Sequence, residues 1–145
     1  MATSATPNGA EPVNTLSASG SYSGKVRHMK VASAYNTAIF YGDFVKLVAA
    51  GTVEKAAVTT AVVAGTVGIF VGCSYTDPST SQLTFNQQYP ASTTASDIMA
   101  YVVDDPKLVF KMQGDEAIAQ TGLGNNISAV NTAGSTAIGR SKNAL

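Results

Sequence analysis

Apolar and polar residues alternate along much of this chain with the period of two that is typical of β-strands. The clearest example is the segment 107–112, KLVFKM, in which Leu108, Phe110 and Met112 fall on one face. Similar patterns lie at 24–32, 37–50, 66–73, 82–86 and 98–103. Because these segments are short and rich in β-branched and aromatic residues, they predict an all-β or mostly β protein.

The segment 66–73, TVGIFVGC, carries its larger aliphatic residues at alternate positions. The residues expected on its core face are Val67, Ile69, Val71 and Cys73. A buried, unreactive thiol is therefore expected at Cys73. The segment belongs to a stretch, 56–76, without any charged residue, and a transmembrane helix is the alternative for that stretch. Its threonines, its glycines and the period of two favour a buried strand.

Turn-forming residues separate the strand candidates. The sequences 76–79 (TDPS) and 104–106 (DDP) each lie between two candidates, and proline pushes the preceding residue out of the helical region. Gly42-Asp43 interrupts 37–50 and predicts a turn or a bulge. The pattern predicts an antiparallel meander, with at most one short helix over Asp115–Thr121 that Gly122 could end.

The first 24 residues differ in composition from the rest. Glu11 is their only charged residue, and Val13, Leu16 and Tyr22 are their only sizeable apolar residues beyond Met1. Such a segment cannot by itself bury enough apolar surface to offset its ordering entropy. We therefore expect an extended N-terminal arm at 1–24, lying along a partner chain, followed by a β-rich domain at 25–145.

Charge is scarce and balanced. The chain has 145 residues, with nine Lys and Arg and nine Asp and Glu, so that its formal net charge is +0. Charged residues make up 12% of the chain, against roughly 25% in an average protein, and such a surface favours association. Lys25, Arg27 and Lys30 form the only basic cluster. Three cations in a neutral chain are a weak signal for nucleic acid, so we expect no nucleic-acid partner.

Residues that could carry chemistry are few. With one cysteine and one histidine, Cys73 and His28, the chain cannot form an internal disulfide or a zinc site of the usual composition. Asp97, Asp104 and Asp105 could be read as an acid–base or cation site, but their spacing is typical of turn capping. The sequence predicts a protein without catalytic activity, cofactor or metal.

Two segments, Ala38–Val45 (AIFYGDFV) and Gly65–Gly72 (GTVGIFVG), resemble the opening of the capsid decoration (cement) proteins of tailed bacteriophages. Two others, Gly72–Pro78 (GCSYTDP) and Asp97–Pro106 (DIMAYVVDDP), are similar to structural proteins of marine tailed phages. The resemblance covers roughly residues 36–145. It implies a small antiparallel β-barrel or β-tulip-like domain bound to the outside of an icosahedral shell, often as a trimer. It also implies further strands beyond Leu145.

The resemblance implies a non-enzymatic virion protein on the outer capsid surface that stabilises contacts between major capsid protein subunits. A homo-oligomer, with a trimer favoured, is expected, and no membrane. The residues expected to contact the capsid are Val13, Leu16, Tyr22, Lys25, Arg27 and Lys30. In this hypothesis the apolar residues anchor the arm and the cations pair with shell carboxylates. The alternatives are another virion subunit, such as a fibre or shell component, and a small membrane-associated protein.

Overall fold

The computed structural model describes residues 6–17, 22–57 and 64–145 of the protein. Within these residues the secondary structure consists of strands and one short 3-10 turn at Gln120–Gly122. The strands are β1 (Glu11–Thr15), β2 (Arg27–Lys30), β3 (Phe44–Leu47), β4 (Val53–Lys55), β5 (Thr66–Thr76), β6 (Leu83–Asn86), β7 (Met99–Val103) and β8 (Leu108–Lys111). The prediction of a mostly β protein is confirmed.

The strands form two antiparallel units. Six of them make one sheet in the order β2-β7-β5-β3-β4, with β6 pairing along the second half of β5. The other two, β1 and β8, form a two-stranded ribbon. An isolated parallel bridge between Val31 and Val53 connects the chain after β2 with β4, and so joins the two ends of the strand path. Closure of this path into a barrel stays a prediction.

The hydrophobic core lies against one face of the large sheet. Side chains from β3, β4, β5 and β7 meet there with residues of the connecting loops. The largest fully buried side chains are Tyr89, Phe70, Ile39 and Ile98. The Tyr89 hydroxyl donates a hydrogen bond of 3.0 Å to the carbonyl oxygen of Tyr35, so its polar end is satisfied.

The predicted core face of β5 is wrong at Phe70 and Val71 and correct at Cys73. Phe70 lies opposite Val102 and Gly72 lies opposite Tyr101, so that Val71 is an extra residue in the ladder. This β-bulge moves the core face from even to odd positions: Phe70 points into the core before it, and Cys73 and Tyr75 after it. Strict alternation placed Val71 in the core and Phe70 outside it, because a bulge leaves no mark on apolar periodicity.

The predicted short helix at Asp115–Thr121 is also wrong in its extent. The structure has only the 3-10 turn Gln120–Gly122, with no side-chain hydrogen bond at its start. The backbone N–H of Asp115 instead donates to the carbonyl oxygen of Leu145 at 2.8 Å. This hydrogen bond ties the residue expected to begin the helix to the segment that ends at Leu145.

The Gly42-Asp43 turn is confirmed and organises both ends of the described chain. Gly42 has a φ of +88°, and the N–H of Asp43 donates to the carbonyl oxygen of Phe40 at 2.9 Å. The N–H of Ala10 donates to the Gly42 carbonyl oxygen at 3.0 Å, and the N–H of Ser141 donates to that of Tyr41 at 2.9 Å. Segments from near both termini are thus hydrogen-bonded to one turn.

The described parts of the expected arm lie against the chain's own domain. Ala10 is buried, and residues 11–15 are strand β1, paired with β8. Residues 1–5 and 18–21 of the arm lie outside the described residues. The segment is extended, as expected, but much of it is an integral strand rather than a separate element.

Candidate functional site

The two apolar residues expected to anchor the arm are presented on the β1–β8 ribbon. Val13 lies at the β-bulge between Pro12 and Asn14 and is half exposed. Leu16 is 78% exposed, and its N–H donates to the carbonyl oxygen of Lys107 at 2.8 Å. Both side chains therefore face solvent from a hydrogen-bonded backbone, and this arrangement favours contact with another surface.

Tyr22 and Lys25 are brought close to the same end of the ribbon. With Thr15, at the end of β1, and Leu108, at the start of β8, they line a pocket of about 90 Å³. Burial raises the pKa of the Tyr22 phenol above its ordinary value, and Tyr41 adds to the shift. The phenol therefore stays neutral at physiological pH. One region of the ribbon thus presents four of the residues that the sequence predicts as contacts. We call it the ribbon surface, and it consists of Val13, Leu16, Tyr22 and Lys25.

The three residues of the basic cluster, Lys25, Arg27 and Lys30, differ in their contacts. The Arg27 Nε lies 2.8 Å from Asp104 Oδ2, so its charge is already compensated within the chain. Lys25 and Lys30 are exposed and form no ion pair within the described residues. Lys30 lies opposite Met99 in the β2–β7 ladder and so belongs to the outer face of the large sheet. Of the three basic residues, Lys25 and Lys30 therefore remain candidates for pairing with shell carboxylates.

A second apolar surface lies on strand β6 and was not identified from sequence. Leu83 is 62% exposed and Phe85 is 69% exposed. Phe85 lies opposite Ser74 on β5, which lies opposite the exposed Met99 on β7. These residues form the β6 face. Their alternation with polar residues was visible in sequence, but such a pattern usually marks the core side, whereas here the apolar residues point outward.

Within the described residues β6 pairs only with β5, so its other edge adds unpaired backbone groups to this face. The N–H of Thr76 donates to the Asp97 carboxylate, on the β7 side, while the N–H of Asp77 donates to the Gln82 carbonyl oxygen at 2.9 Å. Since hydrogen-bonded and non-hydrogen-bonded pairs alternate in an antiparallel ladder, the backbone groups of Leu83 and Phe85 point away from β5. No charged residue occurs between positions 78 and 96 to discourage pairing with another strand.

A buried polar cluster was also missed. Asp43, in the turn before β3, accepts a hydrogen bond of 3.1 Å from Asn143 Nδ2 and lies 3.0 Å from Lys55 Nζ on β4. Asp43 and Asn143 are fully buried, and the Lys55 side chain is only 12% exposed. Asp43 was expected to form a turn, which is correct. The two partners could not be found by spacing because Asn143 lies 100 residues from Asp43.

The three other aspartates that could have formed an acid–base site each interact with a different partner. Asp97 accepts hydrogen bonds from the backbone and the hydroxyl of Thr76, and these bonds lower the pKa of its carboxyl group. Asp104 pairs with Arg27, and Asp105 accepts a hydrogen bond of 2.9 Å from the N–H of Lys107. The predicted turn capping is therefore correct for Asp105 and wrong for Asp97 and Asp104, whose partners are distant in the sequence.

Cys73 is buried, as expected. Burial raises the pKa of its thiol to about 12, so the reactive thiolate is essentially absent at neutral pH. Its Sγ lies 3.4 Å from the carbonyl oxygen of Gln88. Among the described residues no group of three His, Cys, Asp or Glu side chains is placed to hold a metal ion.

Comparison of the chain with protein-family models, curated proteins and solved structures found no match. Of the residues that the structure describes, none forms a helix long and apolar enough to cross a membrane. The part of the uncharged stretch 56–76 with the strongest period of two is strand β5, and residues 58–63 lie outside the described residues.

Proposed function

We propose that this protein is a non-enzymatic capsid decoration protein, bound to the outside of an icosahedral shell and stabilising contacts between major capsid protein subunits. The observation that carries the proposal is the ribbon surface, where Val13 on β1 and Leu16 directly after it are held exposed by pairing with the β8 side. The resemblance of the segments within 36–145 to phage decoration proteins supports the same role.

The mechanism is mechanical. The pairing of β1 with β8 fixes the backbone that carries Val13 and Leu16, so that docking orders little additional chain. Burial of these side chains across a seam between two shell subunits would raise the energy needed to separate them. Lys25 supplies exposed positive charge beside this apolar contact, and Lys30 supplies it on the outer face of the large sheet. Shell carboxylates are their partners in this proposal.

The β6 face is assigned to contacts between copies of this chain. It combines exposed Leu83 and Phe85 with backbone groups that have no partner on β5, in a segment without charge. Two copies of the uncharged strand β6 can meet without like-charge repulsion, whereas two basic β2 edges cannot. A homo-oligomer, with a trimer favoured, is the arrangement we propose. We propose no nucleic-acid partner and no membrane partner for this protein.

A second structural role is favoured by the same β6 edge. An uncharged edge strand with exposed apolar residues can also add strands from further copies without limit. That property suits a fibre or a shell-forming subunit, which assembles without another protein. The two roles differ in a simple observable, because a decoration protein requires a preformed shell.

The test is reconstitution on shells. Purified protein is titrated onto shells of the parent virus from which it has been stripped, and bound protein is measured after sedimentation. We expect saturable binding at a copy number comparable to that of the shell subunit, together with greater resistance of the shell to heat. Absence of binding would refute decoration, and assembly of the protein alone into shells or fibres would establish the second role.

A further inference from the structure

The buried cluster of Asp43, Lys55 and Asn143 brings together an amine, a carboxamide and a carboxylate between them. Lys55 Nζ lies 3.0 Å from Asp43 Oδ2, and Asn143 Nδ2 lies 3.1 Å from Asp43 Oδ1. One carboxylate therefore holds the amine and the amide on its two oxygens. A buried ion pair by itself contributes little net stability, because desolvation opposes the Coulomb attraction. The arrangement also places an amine nucleophile, a carboxamide electrophile and a carboxylate that can carry protons in one cluster.

We propose that Lys55 and Asn143 react to form an intramolecular isopeptide bond, with Asp43 carrying the protons. Lysine amines act as nucleophiles toward carbonyl carbon when they are neutral. Here the carboxylate needed to take up the proton is already in contact with Nζ, and the carbonyl carbon to be attacked belongs to the amide on its other oxygen. The inference does not depend on the proposed role in a virion.

The electrophile has its own support. The backbone N–H of Thr132 donates a hydrogen bond of 2.9 Å to Asn143 Oδ1, the oxygen on which negative charge develops when the carbonyl carbon is attacked. A fixed backbone donor aimed at a developing oxyanion is a common source of rate acceleration. The N–H of Asn143 itself donates to the Ser141 hydroxyl at 3.1 Å, which helps to hold the residue in place.

Asp43 and Asn143 are fully buried, and the Lys55 side chain is only 12% exposed. The Phe40 ring centroid lies 5.7 Å from Lys55 Nζ, and the N–H of Phe40 donates to Asp43 Oδ2 at 2.9 Å. Gly134 lies directly against the Phe40 ring, where any Cβ would collide with it. Burial of this kind strengthens the electrostatic interactions between the three groups.

The reaction balances without any further reagent. A proton passes from the Lys55 ammonium to Asp43, and the neutral Nζ attacks Cγ of Asn143. The Nζ–Cγ bond forms and the Cγ–Nδ2 bond breaks. Of the three protons that start on Nζ, one stays on the new amide, one reaches Nδ2 through Asp43 so that ammonia leaves, and the third stays on Asp43 or departs with ammonia as ammonium.

The bond would join β4 to the end of the chain. Residues 129–145 are connected to the rest of the protein by an isolated bridge between Tyr41 and Arg140 rather than by a continuous ladder. A covalent link at Asn143 would fix this segment to the large sheet even when that bridge opens. It would thereby increase the resistance of the protein to mechanical unfolding.

The intact mass of the folded, purified protein tests the proposal. We expect a mass about 17 Da below that of the sequence, the mass of one ammonia. The matched control is Lys55→Arg, which keeps the positive charge beside Asp43 but lacks the amine nucleophile, and we expect it to have the full sequence mass. Trypsin should fail to cleave after Lys55 in the wild type, leaving peptide 47–107 with residues 143–145 attached.

Two results would overturn the proposal. One is a wild-type protein that is folded by circular dichroism and still has its full mass after prolonged incubation. The other is a loss of ammonia that persists in Lys55→Arg or that maps elsewhere, for example to a cyclic imide at Asn8-Gly9. Because the wild-type mass alone decides the first point, the test does not depend on any variant folding.

Discussion

Leu16→Asp is expected to weaken binding to shells more than any other change on the ribbon surface. Full burial of a leucine side chain contributes about 1.5–3 kcal/mol. Leu16 is 78% exposed in the free protein, so burial of that fraction against a shell would contribute about 1.2–2.3 kcal/mol. Loss of this contribution corresponds to a roughly 8- to 50-fold increase in Kd, and a carboxylate in an apolar contact adds to the loss.

Leu123→Asp is the matched control for this experiment. Leu123 is 81% exposed and follows the 3-10 turn Gln120–Gly122, outside the ribbon surface. The same chemical change there should leave the Kd within about two-fold, as expected for a surface substitution away from a contact. Both proteins are titrated onto stripped shells and measured by sedimentation, with unfolding curves to show that each is folded.

Equal binding by Leu16→Asp and the wild type would refute the assignment of the ribbon surface, and so would an equal loss in both variants. A point substitution is preferred to deletion of residues 1–20. The deletion would remove β1 and the buried Ala10, so that a loss of binding could reflect damage to the fold rather than loss of the contact.

Three further predictions concern the fold, its pH dependence and the oligomer. Phe70→Ala should lower the free energy of unfolding by about 3–5 kcal/mol, and Val71→Ala by less than about 1.5 kcal/mol, in denaturant titrations. Because hydrogen bonds from Thr76 lower the pKa of Asp97, wild-type stability relative to Asp97→Asn should be present at neutral pH and should disappear as the pH falls through that lowered pKa. Phe85→Lys should reduce the molar mass in light scattering to that of a monomer, because it places charge on the β6 face.

Each of these has a contrary result. Equal costs at positions 70 and 71 would mean that the β-bulge is absent. An advantage over Asp97→Asn that grows in acid would reverse the sign required for a carboxyl group with a lowered pKa. An unchanged oligomer in Phe85→Lys, with Leu123→Lys as the control, would remove the β6 face from the contacts between copies.

Strand positions were predictable wherever a strand has one buried and one exposed face. In β8, Leu108 and Phe110 are partly buried and Val109 and Lys111 are exposed, as their alternation indicated. In β5 the same reasoning failed because the bulge at Val71 reverses the faces. Such a reversal depends on the partner strand, and periodicity within one strand cannot report it.

The candidate sites were predictable only in part for the same reason. Exposed apolar residues in a poorly charged segment pointed to Val13 and Leu16 as contacts, and the structure does expose them. The outward direction of Phe85 and the meeting of Asp43 with Asn143 depend on how distant segments pack. Arg27 was expected to offer a free charge. Composition alone could not show that an ion pair with Asp104 compensates this charge.

The most direct test of the central claim is quantitative mass spectrometry of purified virus particles that carry this chain, counting it against the major shell subunit. A decoration protein is expected at a copy number comparable to that of the shell subunit. A few copies per particle would indicate a tail or vertex component, and complete absence from the particles would contradict the account.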